Sequence, residues 1–359
     1  MSLTIRDVAR AAGVSTATVS RALVPGASPV AEETRARVHS EAERLGYRAN
    51  HAARSLKTRS TKTVAVIAPE LANDFFMALA EGIACELDAQ GYTLLLATSE
   101  NSQEEEKKRL FTLADRMADG FIVIPAGAGG EHLESLAGRG IPLVLIDRLV
   151  EGTNFDAVVS DNEGGACALT RALLADGFRR IAFVGGDSAI SAARERFSGY
   201  LRALEEEGVR PEPDWTLFGG MGVDDGYRRM GALLAEKNPP EALVAVNLLV
   251  HLGMERRLLE YHGGGGEARF RRGPYVPVIA GFDESRYTPF LPACRYTAAQ
   301  DALGMGKEAG RRILEKIRRR REREKVPGSA HNTEERAAGC VIRMPVAIIH
   351  HQSFGGNYG

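Results

Sequence analysis

Apolar residues recur along the first 46 positions every three or four places. Ile5, Val8, Ala9 and Ala12 share one helical face, Val19 and Leu23 a second, and Val38, Ala42 and Leu45 a third. Thr4 stands where a helix cap belongs, with Asp7 three residues later in the first turn, and Gly13 ends that helix as a left-handed cap. Ser15 can cap a second helix after a tight turn. A third helix is predicted from about Ala31 to Leu45, stopped by Gly46. Helix, glycine turn, helix and supporting helix make the helix-turn-helix arrangement.

From about Thr63 the pattern changes. The runs "TVAVIAP", "YTLLLATS", "GFIVIPA", "IPLVLIDR", "DAVVSDN", "RRIAFVGG", "EALVAVN" and "VPVIAGFDE" read as strands. Amphipathic segments such as "FFMALAEGIACELDAQG" and "GGACALTRALLADG" lie between them, the βαβ signature of parallel sheets covered by helices. These strands exceed one compact sheet, so two similar Rossmann-like lobes are expected, with the chain crossing near Asp161–Gly164. The fold class predicted is a small all-α head followed by an α/β two-lobed body. The expected boundaries are 1–49 for the head, 50–62 for a linker and 63–359 for the body. Within the body, the first lobe takes 63–162 and 292–325, and the second takes 163–291 and 326–350.

Charge adds a direction. The formal net charge of −1 hides ten basic against five acidic side chains in the first 60 residues, so the remainder is acidic. A basic head on an acidic body points to a polyanionic partner. On the second helix Val19 and Leu23 face inward, which leaves Thr16, Ala17, Ser20 and Arg21 outside. Small side chains let such a helix sit deep in a DNA major groove. Arg21 can reach guanine O6 and N7, and the hydroxyls of Ser15 and Thr18 suit phosphate oxygens.

Other classes lose ground. No apolar run approaches the roughly 18 residues of a membrane span, and "MSLTIRDVAR" has no signal-peptide core, so a cytoplasmic protein with no membrane partner is expected. Cys85, Cys167, Cys294 and Cys340 have no paired metal spacing, and reduced thiols are expected. His350 and His351 lack a third ligand type nearby, which favours a structural role over a metal. No nucleophile elbow, dinucleotide turn, zinc helix or phosphate loop occurs, so neither catalytic residues nor a cofactor are assigned. "IRRRREREK" reads as the solvated end of a helix, and "YHGGGGEARFRRGPY" as a flexible loop. The tail carries no leucine heptads for helical tetramerisation.

"TIRDVARAAGVSTATVSRAL" followed by "VAEETRARVHSEAERLGYRANHAARSLKT" resembles the N-terminus of the LacI/GalR family of bacterial transcription regulators, over some 55 residues with spacing retained. The resemblance implies that Thr16, Ala17 and Arg21 read bases. One departure is Ala31, where the family usually has a serine cap. "ANHAARSLKTRSTK" is too short for a stable isolated helix. The resemblance implies that it folds into a hinge helix on operator DNA, with Leu56 wedging into the minor groove and with Asn50 and Lys57 also on DNA. Two such hinges, one from each protomer of a homodimer, would meet at the centre of a pseudo-palindromic operator.

Polar residues gather at the predicted strand ends: Glu70, Asp147, Arg148, Asp161, Asn162 and Asp187, then Asn247 and Asp283. Each has a second reading as a cap or turn residue, and "SDNEGG" around Asp161 has a good one. Together on one cleft they suit a polyhydroxylated ligand. The family resemblance extends loosely over the body and implies a periplasmic-binding-protein fold used as an effector sensor. It puts Phe75 and Phe76 on the pocket wall, Asp147 and Arg148 at the cleft, and Arg196 as a bidentate ligand contact. It makes Asp283 an acceptor for effector hydroxyls or amines. Asn247 is kept, but Leu248 replaces the usual following aspartate. Met221 takes a wall position often aromatic, with Phe218 or Trp215 as substitutes.

The function expected is a sequence-specific DNA-binding regulator, a repressor, controlled by a small carbohydrate effector between the lobes. A transport solute-binding protein and a sugar-processing enzyme of the same fold are the alternatives. A regulator controlled by a phosphoprotein corepressor is a close variant, kept open by Leu248.

Overall fold

The computed structural model describes residues 3–23, 30–47, 60–116, 118–263, 277–324 and 339–351. The chain divides into two compact units, Met1–Thr61 and Lys62–Gly359.

The first unit holds α1 (Ile5–Ala12), α2 (Thr16–Ala22) and α3 (Glu32–Arg44). The expected capping box is present: the Thr4 N–H and hydroxyl both donate to Asp7 Oδ2, at 2.9 and 2.7 Å. Gly13 lies at φ 63° and Gly46 at φ 66°, the left-handed region that terminates helices. Val8, Ala12, Val19, Ala22, Val38 and Ala42 form a small closed core, and His39 Nε2 lies 3.2 Å from the Ala22 carbonyl. Ala22 takes the buried place expected of Leu23, which is only half-buried. Ala31 precedes α3 with no side-chain cap.

The second unit contains two six-stranded sheets. The first carries β1 (Thr63–Ala68), β2 (Thr93–Thr98), β3 (Gly120–Val123), β4 (Leu143–Ile146), β5 (Asp156–Ser160) and β11 (Val341–Met344), in the order β11-β5-β4-β3-β1-β2. The second carries β6 (Ile181–Val184), β7 (Thr216–Leu217), β8 (Ala242–Ala245), β9 (Val278–Phe282), β10 (Cys294–Gln300) and β12 (Val346–His350), in the order β12-β10-β9-β8-β6-β7. The two orders are the same pattern, with β4 corresponding to β9. All pairings are parallel except β10 with β12.

Helices α4 (Asp74–Asp88), α5 (Gln103–Asp115), α6 (Glu131–Gly138) and α11 (Ala302–Glu324) cover the first sheet. Helices α7 (Asn162–Ala175), α8 (Ser191–Glu206), α9 (Val223–Leu234) and α10 (Leu248–Gly263) cover the second. Apolar side chains fill both faces of each sheet, which is why the strands read as continuous apolar runs. α4 and α11 approach through Gly82 and Gly306. A Cβ on Gly82 would stand 2.2 Å from the Leu303 carbonyl oxygen, so the pairing requires glycine.

Two expected lobe boundaries are corrected. β10 belongs to the second sheet, although residues from 292 were expected in the first lobe; the chain crosses between Gln300 and Ala302. β11 belongs to the first sheet, although 326–350 was expected in the second lobe; the last crossing falls at Pro345. Both strands lie next to a crossing, and their short or polar patterns do not tell which sheet receives them. The first crossing, between β5 and α7, falls inside the expected Asp161–Gly164 stretch.

α11 contains most of the arginine-rich run. Arg319 pairs with Glu315, Arg320 with Glu324 at 3.0 Å, and Arg321 with Asp119 at 2.7 Å. No helix among the described residues is long and apolar enough to cross a membrane.

Candidate functional site

The outer face of α2 is the first candidate. Ser15 Oγ accepts from the Thr18 N–H at 3.1 Å and lies 2.9 Å from Thr18 Oγ1, so one hydroxyl caps the helix and fixes its neighbour. Thr16, Ala17, Ser20 and Arg21 are exposed along the helix, and Arg21 Nε donates to the Ala17 carbonyl at 3.3 Å. The result is a shallow ridge of small side chains with one long cation. Asn50, Leu56 and Lys57 lie outside the described residues.

The second candidate is a cavity of about 350 Å³ between the two sheets. It sits beyond the carboxyl ends of the strands, where ligands bind in open parallel sheets. The first lobe brings Phe75 and Phe76 from the start of α4, and Asp147 and Arg148 from the end of β4. The second brings Arg196 from α8, Met221 from the turn before α9, and Asn247 and Asp283 from the ends of β8 and β9. Phe75 is held because the Asn73 side chain caps α4, accepting from the Phe75 N–H at 3.0 Å.

Asp147 and Asp283 are both buried, and both sit at positive φ, 69° and 73°. Non-glycine residues in this region carry strain and concentrate at binding sites. Arg148 Nε lies 3.5 Å from Asp147 Oδ2, and its Nη1 donates to the Pro125 carbonyl at 2.9 Å. Arg196 stacks on the Phe282 ring, with Cζ 3.8 Å from the centroid. Its Nε donates to Asn162 Oδ1 at 2.8 Å and its Nη1 to the Val246 carbonyl at 2.6 Å. Two of the five Arg196 donors hold α8 against α7 and the chain just beyond β8, and the guanidinium lines the cavity, so the expected bidentate reach to a ligand is left to its remaining N–H groups. Burial pushes the Asp147 carboxyl above its ordinary value, although Arg148 and Arg196 draw it down. Burial lowers both guanidiniums, and the neighbouring carboxylates raise them in turn.

Asp161 is also corrected. Its side chain accepts from the Gly164 N–H at 3.0 Å and caps α7, and it is absent from the cavity lining. Asn162 turns to Arg196 and Glu195 as a support. Glu70 and Asp187 do line the cavity. Phe218 and Trp215 do not: Phe218 packs edge-on against Phe197 at 4.9 Å, and Trp215 packs against the apolar core of the second lobe. Leu248 is buried, and its N–H donates to Asp283 Oδ2 at 3.3 Å. Four polar cavity residues escaped the sequence reading: Asn73, Asn101, Asp225 and Gln300. Asn73 carried a legible signal as the cap in "NDFF". Gln300 carried none, since it ends a strand that the pattern did not reveal.

His351 Nε2 lies 2.8 Å from Thr297 Oγ1 and 3.1 Å from Glu284 Oε2, tying the end of β12 to β10. No cluster of three or more His, Cys, Asp or Glu residues suited to a metal occurs among the described residues.

Comparison with known proteins adds an independent line. Residues 4–50 match the model for bacterial regulatory proteins of the lacI family. Residues 61–337 match that for periplasmic binding proteins and the sugar binding domain of the LacI family. Catabolite control protein A of Priestia megaterium is 33% identical over 316 residues, covering 87% of this chain and 91% of that protein. The HTH-type transcriptional repressor PurR of Haemophilus influenzae is 30% identical over 315 residues, covering 88% and 91%. Among solved structures, a transcriptional regulator CelR–cellobiose complex superposes with a TM-score of 0.68 at 26% identity, covering 98% of this chain and 99% of that one. The Lac repressor dimer bound to operator and the anti-inducer ONPF gives 0.80 at 21% identity, covering 98% and 99%, and supports the fold.

Proposed function

The chain belongs to the LacI family of bacterial regulatory proteins, DNA-binding transcriptional repressors with an effector-binding body, and we propose that it is a cytoplasmic homodimer whose grip on a pseudo-palindromic operator is set by a carbohydrate bound between its lobes. The observation that carries this reading is the cavity between Asp147 and Asp283, two buried carboxylates beside apolar walls from Phe75, Phe76 and Met221. Carboxylates accept from sugar hydroxyls, and the apolar walls suit the C–H faces of a sugar ring. The chemistry is binding: the relatives named above are regulators, and no catalytic role is assigned.

On DNA, Thr16, Ala17 and Arg21 read base edges, while Ser15, Thr18 and Ser20 meet phosphates. Asn50, Leu56 and Lys57 belong to the hinge, where Leu56 is the minor-groove wedge. In the body, Phe75, Phe76, Asp147, Arg148, Met221, Asn247 and Asp283 surround the effector. Arg196 braces the lobe that presents them and turns its remaining N–H groups to the effector. The effector acts by preferring one arrangement of the two lobes, and its control over DNA is limited to that difference in affinity.

The test starts from operator selection out of a random duplex library with the full-length protein. Fluorescence anisotropy on the selected site then follows, with and without saccharides at millimolar concentration. A palindromic consensus and a saccharide-dependent shift in Kd are expected. A consensus without two-fold symmetry would remove the homodimer, and Kd values indifferent to saccharides that do bind would remove the control.

A further inference from the structure

Among the described residues three ion pairs join the two lobes: Arg194 with Glu151, Arg343 with Glu195, and Arg286 with Asp74. The last is 3.9 Å apart and exposed on both sides, a geometry that contributes little. The other two spring from one place, the start of α8 in the second lobe. Arg194 turns to Glu151, in the loop after β4, and also donates to the Ser188 carbonyl at 2.6 Å. Glu195 takes both arms of Arg343 on β11, Nη1 at 3.0 Å and Nη2 at 2.9 Å, and accepts from Asn162 Nδ2 at 3.2 Å. Ser191, buried at the head of the same helix, accepts from the Leu149 N–H at 2.8 Å. Two further carboxylates of the second lobe, Asp161 and Glu163, act on Arg343 at longer range, and Glu163 is itself paired with Arg202. On the first lobe the anchors are the loop after β4 and the edge strand β11, which lie on either side of β5. Rotation about one anchor therefore strains the other.

We infer that the start of α8 is an electrostatic latch that holds the lobes in the arrangement seen here, and that this latch sets the resting balance of lobe arrangements on which an effector acts. The second half of the inference rests on the reading of the cleft as an effector site. None of Leu149, Glu151, Ser191, Arg194, Glu195 and Arg343 lines the cavity, so the latch is complete without a ligand. Yet Asp147 and Arg148, which do line it, immediately precede the Leu149–Glu151 anchor, and Arg196 directly follows Glu195. A ligand that shifts those cavity groups pulls on the latch through the adjoining backbone. Half-exposed charges are screened by salt, whereas a bidentate arginine–carboxylate pair keeps a defined geometry. The two pairs together are therefore directional and still releasable. An effector moves the balance only by its differential affinity, and the latch fixes how large that difference has to be.

The experiment reads lobe separation in the full-length protein by double electron–electron resonance. Spin labels sit at Glu134→Cys on α6 and Ala232→Cys on α9, both exposed and one in each lobe. Cys85 and Cys340 are replaced by serine, and labelled chains are diluted with unlabelled protein. Glu151→Gln combined with Glu195→Gln removes both carboxylate charges and keeps the shapes. This pair, and Glu151→Arg alone, are expected to shift and broaden the distance distribution. The charge swap, Glu151→Arg with Arg194→Glu, should bring it back. In the unaltered latch, about 1 M salt, where the Debye length is about 3 Å, should act like the neutralised pair. The same proteins are then titrated on the selected operator by anisotropy. Neutralisation should change Kd by about fivefold or more, the scale of ordinary coupling between sites, and the swap should restore it. A distribution unchanged by neutralisation overturns the latch. One that changes and is not restored by the swap overturns its electrostatic nature. An altered distribution with an unchanged Kd overturns the regulatory half alone. The distances need neither effector nor DNA, so failure to select any operator would defeat the regulator reading and leave the latch to be judged by the distances.

Discussion

Asp147 and Asp283 are counterparts: each follows the fourth strand, counted along the chain, of its own sheet, each is buried, and each is held at positive φ, 69° and 73°. The repeated strand order therefore delivers one carboxylate from each lobe to the same cavity.

That backbone carries a measurable strain. Left-handed φ costs a residue with a Cβ roughly 1–2 kcal/mol, and glycine much less. Asp283→Gly and Asp283→Ala both remove the carboxylate, so their difference isolates the backbone. The glycine variant should be the more stable by about 1 kcal/mol in urea denaturation, even though glycine loses more entropy on folding. Equal stabilities would mean that the conformation relaxes without cost.

Arg196 should matter to the fold before any ligand arrives. Its removal strands Asn162 and the Val246 carbonyl, and it takes a cation away from Asp147 and Asp283. Breaking a buried charge network of this kind costs about 3–5 kcal/mol. Arg196→Met should lose about that much stability in urea denaturation. Arg196→Lys should fall between, since it keeps the charge and loses the planar fork. Loss of ligand affinity with undiminished stability would show that Arg196 serves the ligand alone.

The contrast between Asp147 and Gln300 shows what the sequence could and could not reveal. Asp147 closes "IPLVLIDR", an apolar run that must be a covered strand, and a polar residue at its end must emerge at the carboxyl edge of a sheet. Gln300 closes "CRYTAAQ", a strand with no such rhythm, set against β9 on one side and β12 on the other. Its role depends on which sheet receives it, a long-range fact. Asp161 was misplaced for a local reason: a cap and a ligand contact call for the same residue type at the same place, and its carboxylate caps α7 through the Gly164 N–H, outside the cavity lining. In the head, Thr4, Gly13 and Ser15 act within three residues of themselves, and all three were legible.

Arg21 should govern sequence preference at one base pair in each half-site. It stands exposed on α2 among small side chains, and a bidentate contact to guanine is worth about 1–3 kcal/mol of discrimination. Arg21→Ala should lose that amount on the selected operator and little on a duplex already altered at the contacted pair. Anisotropy titrations on a set of single-pair variants read it directly. A uniform loss on every duplex would make Arg21 a phosphate contact.

Ala31 offers an improvement. It precedes α3 in an extended conformation, φ −52° and ψ 137°, with no side chain to accept from the first turn. Ala31→Ser supplies that acceptor, worth about 1 kcal/mol. In hydrogen exchange on the full chain, the first-turn amides of α3 should gain about fivefold protection, the equivalent of that free energy. Unchanged exchange there would show that water already satisfies those donors.

Cys294 should be chemically silent and should report on alkaline unfolding. It is buried at the start of β10, and burial, with Glu255 and Glu284 nearby, pushes its thiol from 9.0 up to about 12. At pH 8 the thiolate fraction is then on the order of one in ten thousand, and the thiolate is the nucleophile. Iodoacetamide should label the exposed Cys85 and Cys340 first and Cys294 only on unfolding, as peptide mass mapping would show. The sign of the pH effect follows from the raised value. The folded state holds the proton more tightly than the unfolded chain, so the stabilisation is complete below pH 9 and is lost as pH rises toward 12. In Cys294→Ala this loss is absent, while the cost of the missing sulfur does not depend on pH. The stability difference between the wild-type protein and the variant should therefore shrink between pH 9 and pH 11; a constant difference across that range would place the thiol in contact with water.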